Sequence, residues 1–130
     1  MARIKQSEQL TTLELEIMKV LWEKGSTNVQ TVQQQLEREL AYTTVQTMLN
    51  VLLRKGKVKR ELTNKAYFYR PVVSRSQVVS QTIEDLINRL FGGSAENLVM
   101  SMVETEHLTA EKLSRLNALI EKEANDGNGN

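Results

Sequence analysis

The stretch Tyr42-Thr43-Thr44-Val45-Gln46-Thr47-Met48-Leu49-Asn50-Val51-Leu52-Leu53-Arg54-Lys55-Gly56-Lys57-Val58-Lys59-Arg60-Glu61-Leu62 changes period half-way along its length. In its first half Val45, Met48, Leu49, Leu52 and Leu53 form one apolar stripe at helical spacing. Thr43-Thr44-Val45-Gln46 offers a hydroxyl N-cap with Gln three residues on, and Gly56 supplies the stop. The opposite face presents Thr43, Gln46, Thr47, Asn50 and Arg54, polar and uncharged until its final turn. After Gly56 the pattern is extended, with Val58 and Leu62 on one side and Lys57 and Lys59 facing away. Thr63-Asn64-Lys65-Ala66 reads as a hairpin tip, Ala66-Tyr67-Phe68-Tyr69-Arg70 as the returning strand, and Pro71 as its end.

Upstream, Leu10, Leu13, Ile17 and Leu21 recur at helical spacing behind Thr11-Thr12-Leu13-Glu14, which has the capping-box form. Gly25 stands where a left-handed cap is expected, so a first helix should span about residues 11 to 24. Val29, Val32, Leu36 and Leu40 mark a second amphipathic helix. Downstream, Ser74-Arg75-Ser76-Gln77 can cap a long helix carrying Val79, Ile83, Leu86, Ile87, Leu90 and Phe91. Gly92-Gly93 breaks it. Ser94 can open a short helix to about Glu106 with Leu98, Met102 and Val103 apolar, and Thr109 a last one carrying Leu113, Leu116, Leu119 and Ile120. The order is three helices, a basic two-stranded ribbon, then more helices. The fold expected is therefore mostly α with a small β-wing. It divides into a winged helix-turn-helix over residues 1–73, a helical dimerisation domain over 74–124, and a disordered tail over 125–130.

Composition narrows the function. The chain has 130 residues, 40% hydrophobic and 25% charged, which suits one globular domain or a small domain with a helical appendage. It has no cysteine, so disulfides, thiolate metal sites and cysteine nucleophiles are excluded. No apolar run approaches the length of a bilayer span, and Met1-Ala2-Arg3-Ile4-Lys5-Gln6 lacks the apolar core of a signal peptide; a cytoplasmic protein is expected. The formal net charge of +1 conceals a split. Residues 1–75 hold 13 Lys/Arg against 7 Asp/Glu, whereas residues 76–130 hold 4 against 9. From Leu40 to Arg60 there is no acidic residue at all. Only the front half is suited to meet a polyanion.

Short polar side chains near a helix N-terminus are what the major groove of DNA accepts. Thr methyls can contact thymine, and Gln or Asn amides can pair with adenine; Thr43, Thr44, Gln46, Thr47 and Asn50 supply this chemistry. An ordinary solvated helix face is the alternative, but such faces usually carry Glu/Lys pairs and this one has none. Gln46 can serve either as its own helix's cap or as a base reader. Arg54, Lys55, Lys57, Lys59 and Arg60 put five cations into seven positions, where they can hold phosphates. Asn64 and Lys65 at the tip can touch an adjacent groove or backbone. The competing reading is a basic edge strand that discourages aggregation. Trp22 and the Tyr67-Phe68-Tyr69 run belong to the packing pattern rather than to a stacking platform for single strands.

These residues resemble the BlaI/MecI penicillinase repressors, a family that also includes the copper-responsive CopY type. The resemblance rests on Leu10-Thr11-Thr12-Leu13-Glu14-Leu15-Glu16-Ile17-Met18, Leu21-Trp22 and Tyr42-Thr43-Thr44-Val45-Gln46-Thr47-Met48-Leu49. Lys55-Gly56, Tyr67-Phe68-Tyr69 and Phe91-Gly92-Gly93 complete it. It implies a homodimer that represses β-lactamase or related resistance genes from palindromic double-stranded operators; from the chain's own residues, with no Cys and a single His, no cofactor and no metal are expected. Thr44, Gln46 and Thr47 match the positions of the family's base-reading helix. The resemblance further implies induction through a membrane sensor metalloprotease, or a protease it controls, cutting in the dimerisation domain near Ser101-Met102. Here Ser101 and Met102 stand where the family's motif usually has Asn and Phe. The cysteine motif of the copper-responsive members is missing, which excludes copper sensing by that route.

A dimer also follows from the apolar residues after Gln77, too many for an appendage with no core of its own. Burying one Leu or Ile contributes roughly 1.5–3 kcal/mol. A monomer with these helices folded back on the winged helix is the alternative. Two rival functions remain. A winged helix used only for protein interaction would not need so dense a basic run. An enzyme would have to rest on His107 beside Glu104 and Glu106, with no second His and no HExxH spacing.

Overall fold

The computed structural model describes residues 9–128 of the chain. The N-terminal hexapeptide and the last two residues of the expected tail lie outside them. Among the described residues nine elements follow one another: α1 (Thr12–Lys24), β1 (Thr27–Asn28), α2 (Val29–Gln35), α3 (Tyr42–Arg54), β2 (Val58–Thr63), β3 (Ala66–Pro71), α4 (Arg75–Leu90), α5 (Ala95–Glu104) and α6 (Ala110–Asn128). The fold is mostly helical with a small antiparallel sheet, as the pattern implies. The chain forms two compact units, Met1–Thr82 and Ile83–Asn130.

In the first unit the local signals act as their chemistry requires. Thr11 Oγ1 accepts from Glu14 N at 3.1 Å while Glu14 Oε1 accepts from Thr11 N at 2.9 Å, a reciprocal capping box. Such a cap contributes about 1 kcal/mol. Gly25 ends α1 at φ +81, a conformation that a side chain would strain. Gly56 at φ +77 closes α3 through Lys57 N to Leu52 O (2.9 Å) and Gly56 N to Leu53 O (3.1 Å), the two bonds of a Schellman motif.

The sheet has three strands in the order β1-β3-β2, all antiparallel, rather than the two expected. The extra strand is only Thr27–Asn28, too short to leave a period in the sequence; it pairs Thr27 with Tyr69 and Asn28 with Phe68. Asn28 then caps α2, its Oδ1 accepting from Thr31 N at 2.9 Å.

Two expectations about helices are corrected here. The second helix stops at Gln35 instead of running through Leu40. Leu36 turns to extended backbone and is buried, Gln33 Nε2 donates to Leu40 O at 2.9 Å, and Leu40 packs against the core from a loop. Packing has overridden the helical repeat. The third helix starts at Tyr42 with Ala41 as its N-cap, and no side chain caps it. Ala41 O accepts from Thr44 N and Val45 N, both at 3.1 Å, so Thr43 lies inside the first turn.

The core is built from α1, α2, α3 and the sheet: Ile17, Met18, Leu21, Val32, Val45, Leu49, Leu52, Val58 and Tyr69 are almost completely buried. Trp22 seals its edge, with Nε1 donating to Val73 O at 2.9 Å. On the outside, Arg38 and Glu16 form a two-pronged pair at 2.8 and 3.1 Å. The hydrogen bond and then the charge of Glu16 push the Arg38 pKa above its usual value.

The boundary signals of the later helices also act as read. Ser74 and Gln77 cap each other (2.8 and 3.1 Å), and Gly92 and Gly93 break the chain at φ +56 and +86. Ser94 Oγ accepts from Asn97 N, and Thr109 Oγ1 from Lys112 N. α5 stops at Glu104, two residues before the expected end, because Glu106 takes φ +64. α6 continues through Asn128, across residues read as a fraying tail.

Candidate nucleic-acid interface

Val45, Leu49 and Leu52 carry one face of α3 into the core, and that fixes what the other face presents. Thr43, Thr44, Gln46, Thr47 and Asn50 are all exposed. Because the N-cap is Ala41, Gln46 is not spent on capping, and the earlier ambiguity is removed. Among the described residues, the side chains of Thr43, Thr44, Gln46 and Thr47 make no hydrogen bond. Their donors and acceptors are open to solvent on one uncharged surface.

The ribbon beside them turns through two residues, Asn64 at φ +50 and Lys65 at φ +68, with Thr63 paired to Ala66. Two successive positive φ values match the twist that tight hairpins need. Asn64 and Lys65 are exposed at the tip, Lys59 and Arg54 are exposed, and Lys57 is half-buried. Leu62 faces solvent although it shares the side of Val58, because the core ends below it.

Two of the expected cations are engaged. Lys55 does not join the free basic edge: its Nζ donates to Glu14 Oε1 (2.9 Å) and Oε2 (3.1 Å) and to Gln9 O (3.1 Å). Glu14 is buried, and an unpaired carboxylate there would be costly, so the ammonium is drawn in to it. Arg60 NH1 donates to Asn50 Oδ1 (3.2 Å) and to Tyr69 OH (3.3 Å), and its guanidinium lies 4.0 Å over the Tyr67 ring.

One cation was overlooked. Arg70 is exposed on β3 directly across from Lys59. Like charges facing each other across strands repel, so this pair suits an anion. The two-residue turn at Asn64-Lys65 determines that register and was the signal available.

A profile of the family described as penicillinase repressor matches residues 10–122. The chain belongs to the penicillinase repressor family. It is thus a winged-helix, DNA-binding transcriptional regulator and not an enzyme. It is similar to the penicillinase repressor of Bacillus licheniformis, with 27% identity over 124 residues, covering 94% of this chain and 97% of that one. The transcriptional regulator BlaI of Mycobacterium tuberculosis is 35% identical over 127 residues, covering 92% and 89%. The crystal structure of YusO protein from Bacillus subtilis shares the fold, with TM-score 0.53 and 17% identity, over 92% of this chain and 77% of that one.

The second half of this family member presents apolar rather than basic surface. Ile83, Leu86, Leu90, Leu113, Leu116, Leu119 and Ile120 are exposed, as is Val79 earlier on α4; Ile87, Leu98 and Met102 are half-buried. Every residue of α6 from Ala110 to Gly127 is exposed. Ser101 and Met102 lie inside α5. His107 is exposed, with Nδ1 at 2.8 Å from Thr105 Oγ1. No helix among the described residues is long and apolar enough to cross a membrane.

Proposed function

We propose that the chain is a cytoplasmic repressor that binds a palindromic operator as a homodimer. In this reading Thr43, Thr44, Gln46 and Thr47 read base edges in the major groove, while Arg54, Lys57, Lys59, Arg70, Asn64 and Lys65 hold the backbone. The observation that carries it is the exposed, unbonded and uncharged face of α3 beside exposed cations on the ribbon. Residues 1–73 form the DNA-binding domain and residues 74–124 the dimerisation domain. The support for dimerisation is the exposed apolar face of α4 and α6, which a second copy would cover. A two-fold axis would set the two α3 helices one DNA turn apart, roughly 34–36 Å.

The relatives named for penicillinase repression make β-lactamase or related resistance genes the targets to test. Induction would follow from a cut at Ser101-Met102, made by a membrane sensor metalloprotease or the protease it controls. That bond sits in intact helix, with Ser101 O accepting from Thr105 N (3.0 Å) and Thr105 Oγ1 (2.8 Å). α5 must therefore unwind locally before a protease can take it. The cut would lower operator affinity without altering any base-reading residue.

The test is a gel-shift titration on DNA from the chain's own upstream region, with random competitor. Competition-resistant binding of two protomers is expected. With about 6–10 phosphate contacts, affinity should fall roughly 10³–10⁵-fold between about 50 and 200 mM salt. No binding at low salt would leave a protein-interaction module instead.

A further inference from the structure

A closed triangle of hydrogen bonds joins α3 to the wing. Arg60 NH1 donates to Asn50 Oδ1 at 3.2 Å and to Tyr69 OH at 3.3 Å, and Tyr69 OH donates to Asn50 Oδ1 at 3.3 Å. Arg60 and Tyr69 are direct cross-strand partners, and Tyr67, under the guanidinium, is two residues nearer the tip on the same face. Tyr69 is 1% exposed and also pairs with Thr27 of β1, so this corner of the triangle is anchored in the core.

We propose that Arg60, Asn50 and Tyr69 are positioning residues that set the wing's pose relative to α3. Asn50 and Arg60 then act on specificity through that pose rather than as a base reader and a phosphate contact. The inference rests on the DNA-binding reading above and gives a role to two residues that the sequence pattern had placed among the DNA contacts.

The argument is one of donor and acceptor capacity. A guanidinium can only donate, so the Asn50 atom facing it must be Oδ1. Two donors fill that oxygen's two lone pairs. Reading adenine bidentately needs both Oδ1 and Nδ2 of the same amide. Only Nδ2 is left, so Asn50 cannot read adenine without opening the triangle. Arg60 would likewise forfeit its bonds and its place over Tyr67 to swing NH1 to a phosphate.

The wing needs such a device. An isolated two-stranded ribbon is marginal in water, and the exposed tip at Asn64 and Lys65 lies beyond the last buried residue of β3. Held at its base, the ribbon keeps its backbone contacts in register with the α3 face. Loosened there, it still binds DNA by charge but no longer reinforces the correct site.

The test compares Tyr69→Phe, Asn50→Ala and Arg60→Lys on cognate and random DNA across salt, with Arg60→Ala to remove the charge and Lys59→Ala as the phosphate control. Each of the first three should lower the cognate-over-random ratio about tenfold, within the range for members of one hydrogen-bond network. Their salt slopes should stay at the wild-type value, whereas Lys59→Ala should flatten the slope by about 0.9. Wild-type behaviour of Arg60→Lys together with a flattened slope for Arg60→Ala would make Arg60 a phosphate contact and overturn the proposal. So would a silent Tyr69→Phe beside an Asn50→Ala that relaxes preference at a single base pair.

Thermal unfolding of the free protein separates this from failure of the DNA-binding reading. The melting shifts of Asn50→Ala and Tyr69→Phe should be non-additive even if no cognate site exists; additive shifts would mean that the triangle is not formed.

Discussion

α3 and α6 are both amphipathic helices, of 13 and 19 residues, yet their apolar stripes meet opposite fates. Val45, Leu49 and Leu52 of α3 are completely buried, whereas Leu116 and Ile120 of α6 stand 43% and 63% exposed. The same periodic signal therefore says that a face will be covered, without saying by what. In α3 the cover is its own chain, and the outward face is free for a ligand. In α6 the apolar face is itself exposed, on a half of the chain whose charge balance is acidic.

The largest expected effect tests whether a second copy covers α6. Leu116→Glu with Ile120→Glu should abolish the proposed dimerisation, because two such burials are worth about 3–6 kcal/mol per protomer. Sedimentation should show a monomer with an intact front unit; an unchanged dimer would mean that other surfaces pair. Leu49→Ala should do the reverse, costing the front unit about 2–5 kcal/mol in denaturant unfolding while leaving self-association in place. Lys55→Met leaves Glu14 buried without its ammonium, a loss of about 3 kcal/mol, the low end for such a pair because Lys55 keeps some exposure. If stability holds, Lys55 is a free surface cation after all.

On DNA, Thr47→Ala should weaken only the cognate site, by about 1–3 kcal/mol, while Lys59→Ala should weaken all sequences alike. Equal losses for Thr47→Ala on cognate and random DNA would remove it from the reading set. The smallest effect belongs to Arg38→Ala, which should leave the melting temperature unchanged, because its pair with Glu16 is exposed and screened.

The site was partly legible. The free face of α3 and the exposed cations at Arg54, Lys59 and Lys65 follow from period and charge alone, since both are properties of neighbouring residues. The roles of Lys55, Asn50 and Arg60 were not legible. Lys55 meets Glu14 across 41 positions, and Asn50 meets Tyr69 across 19. β1 escaped notice for a related reason: two residues become a strand only because Phe68 and Tyr69 lie beside them.

From the residues themselves came both ends of α1 and α4, the stop of α3, the turn between β2 and β3 and the division into a basic and an acidic half. A cap, a left-handed glycine or a hairpin tip is decided within a few adjacent positions, by sterics and local hydrogen bonds. Only the tertiary structure decided that the second helix stops at Gln35, that Lys55 turns inward and that Arg60 bridges wing and helix. Each of those outcomes depends on a buried or bonded partner brought close by folding, and a buried charge or open amide takes whichever partner the packing supplies.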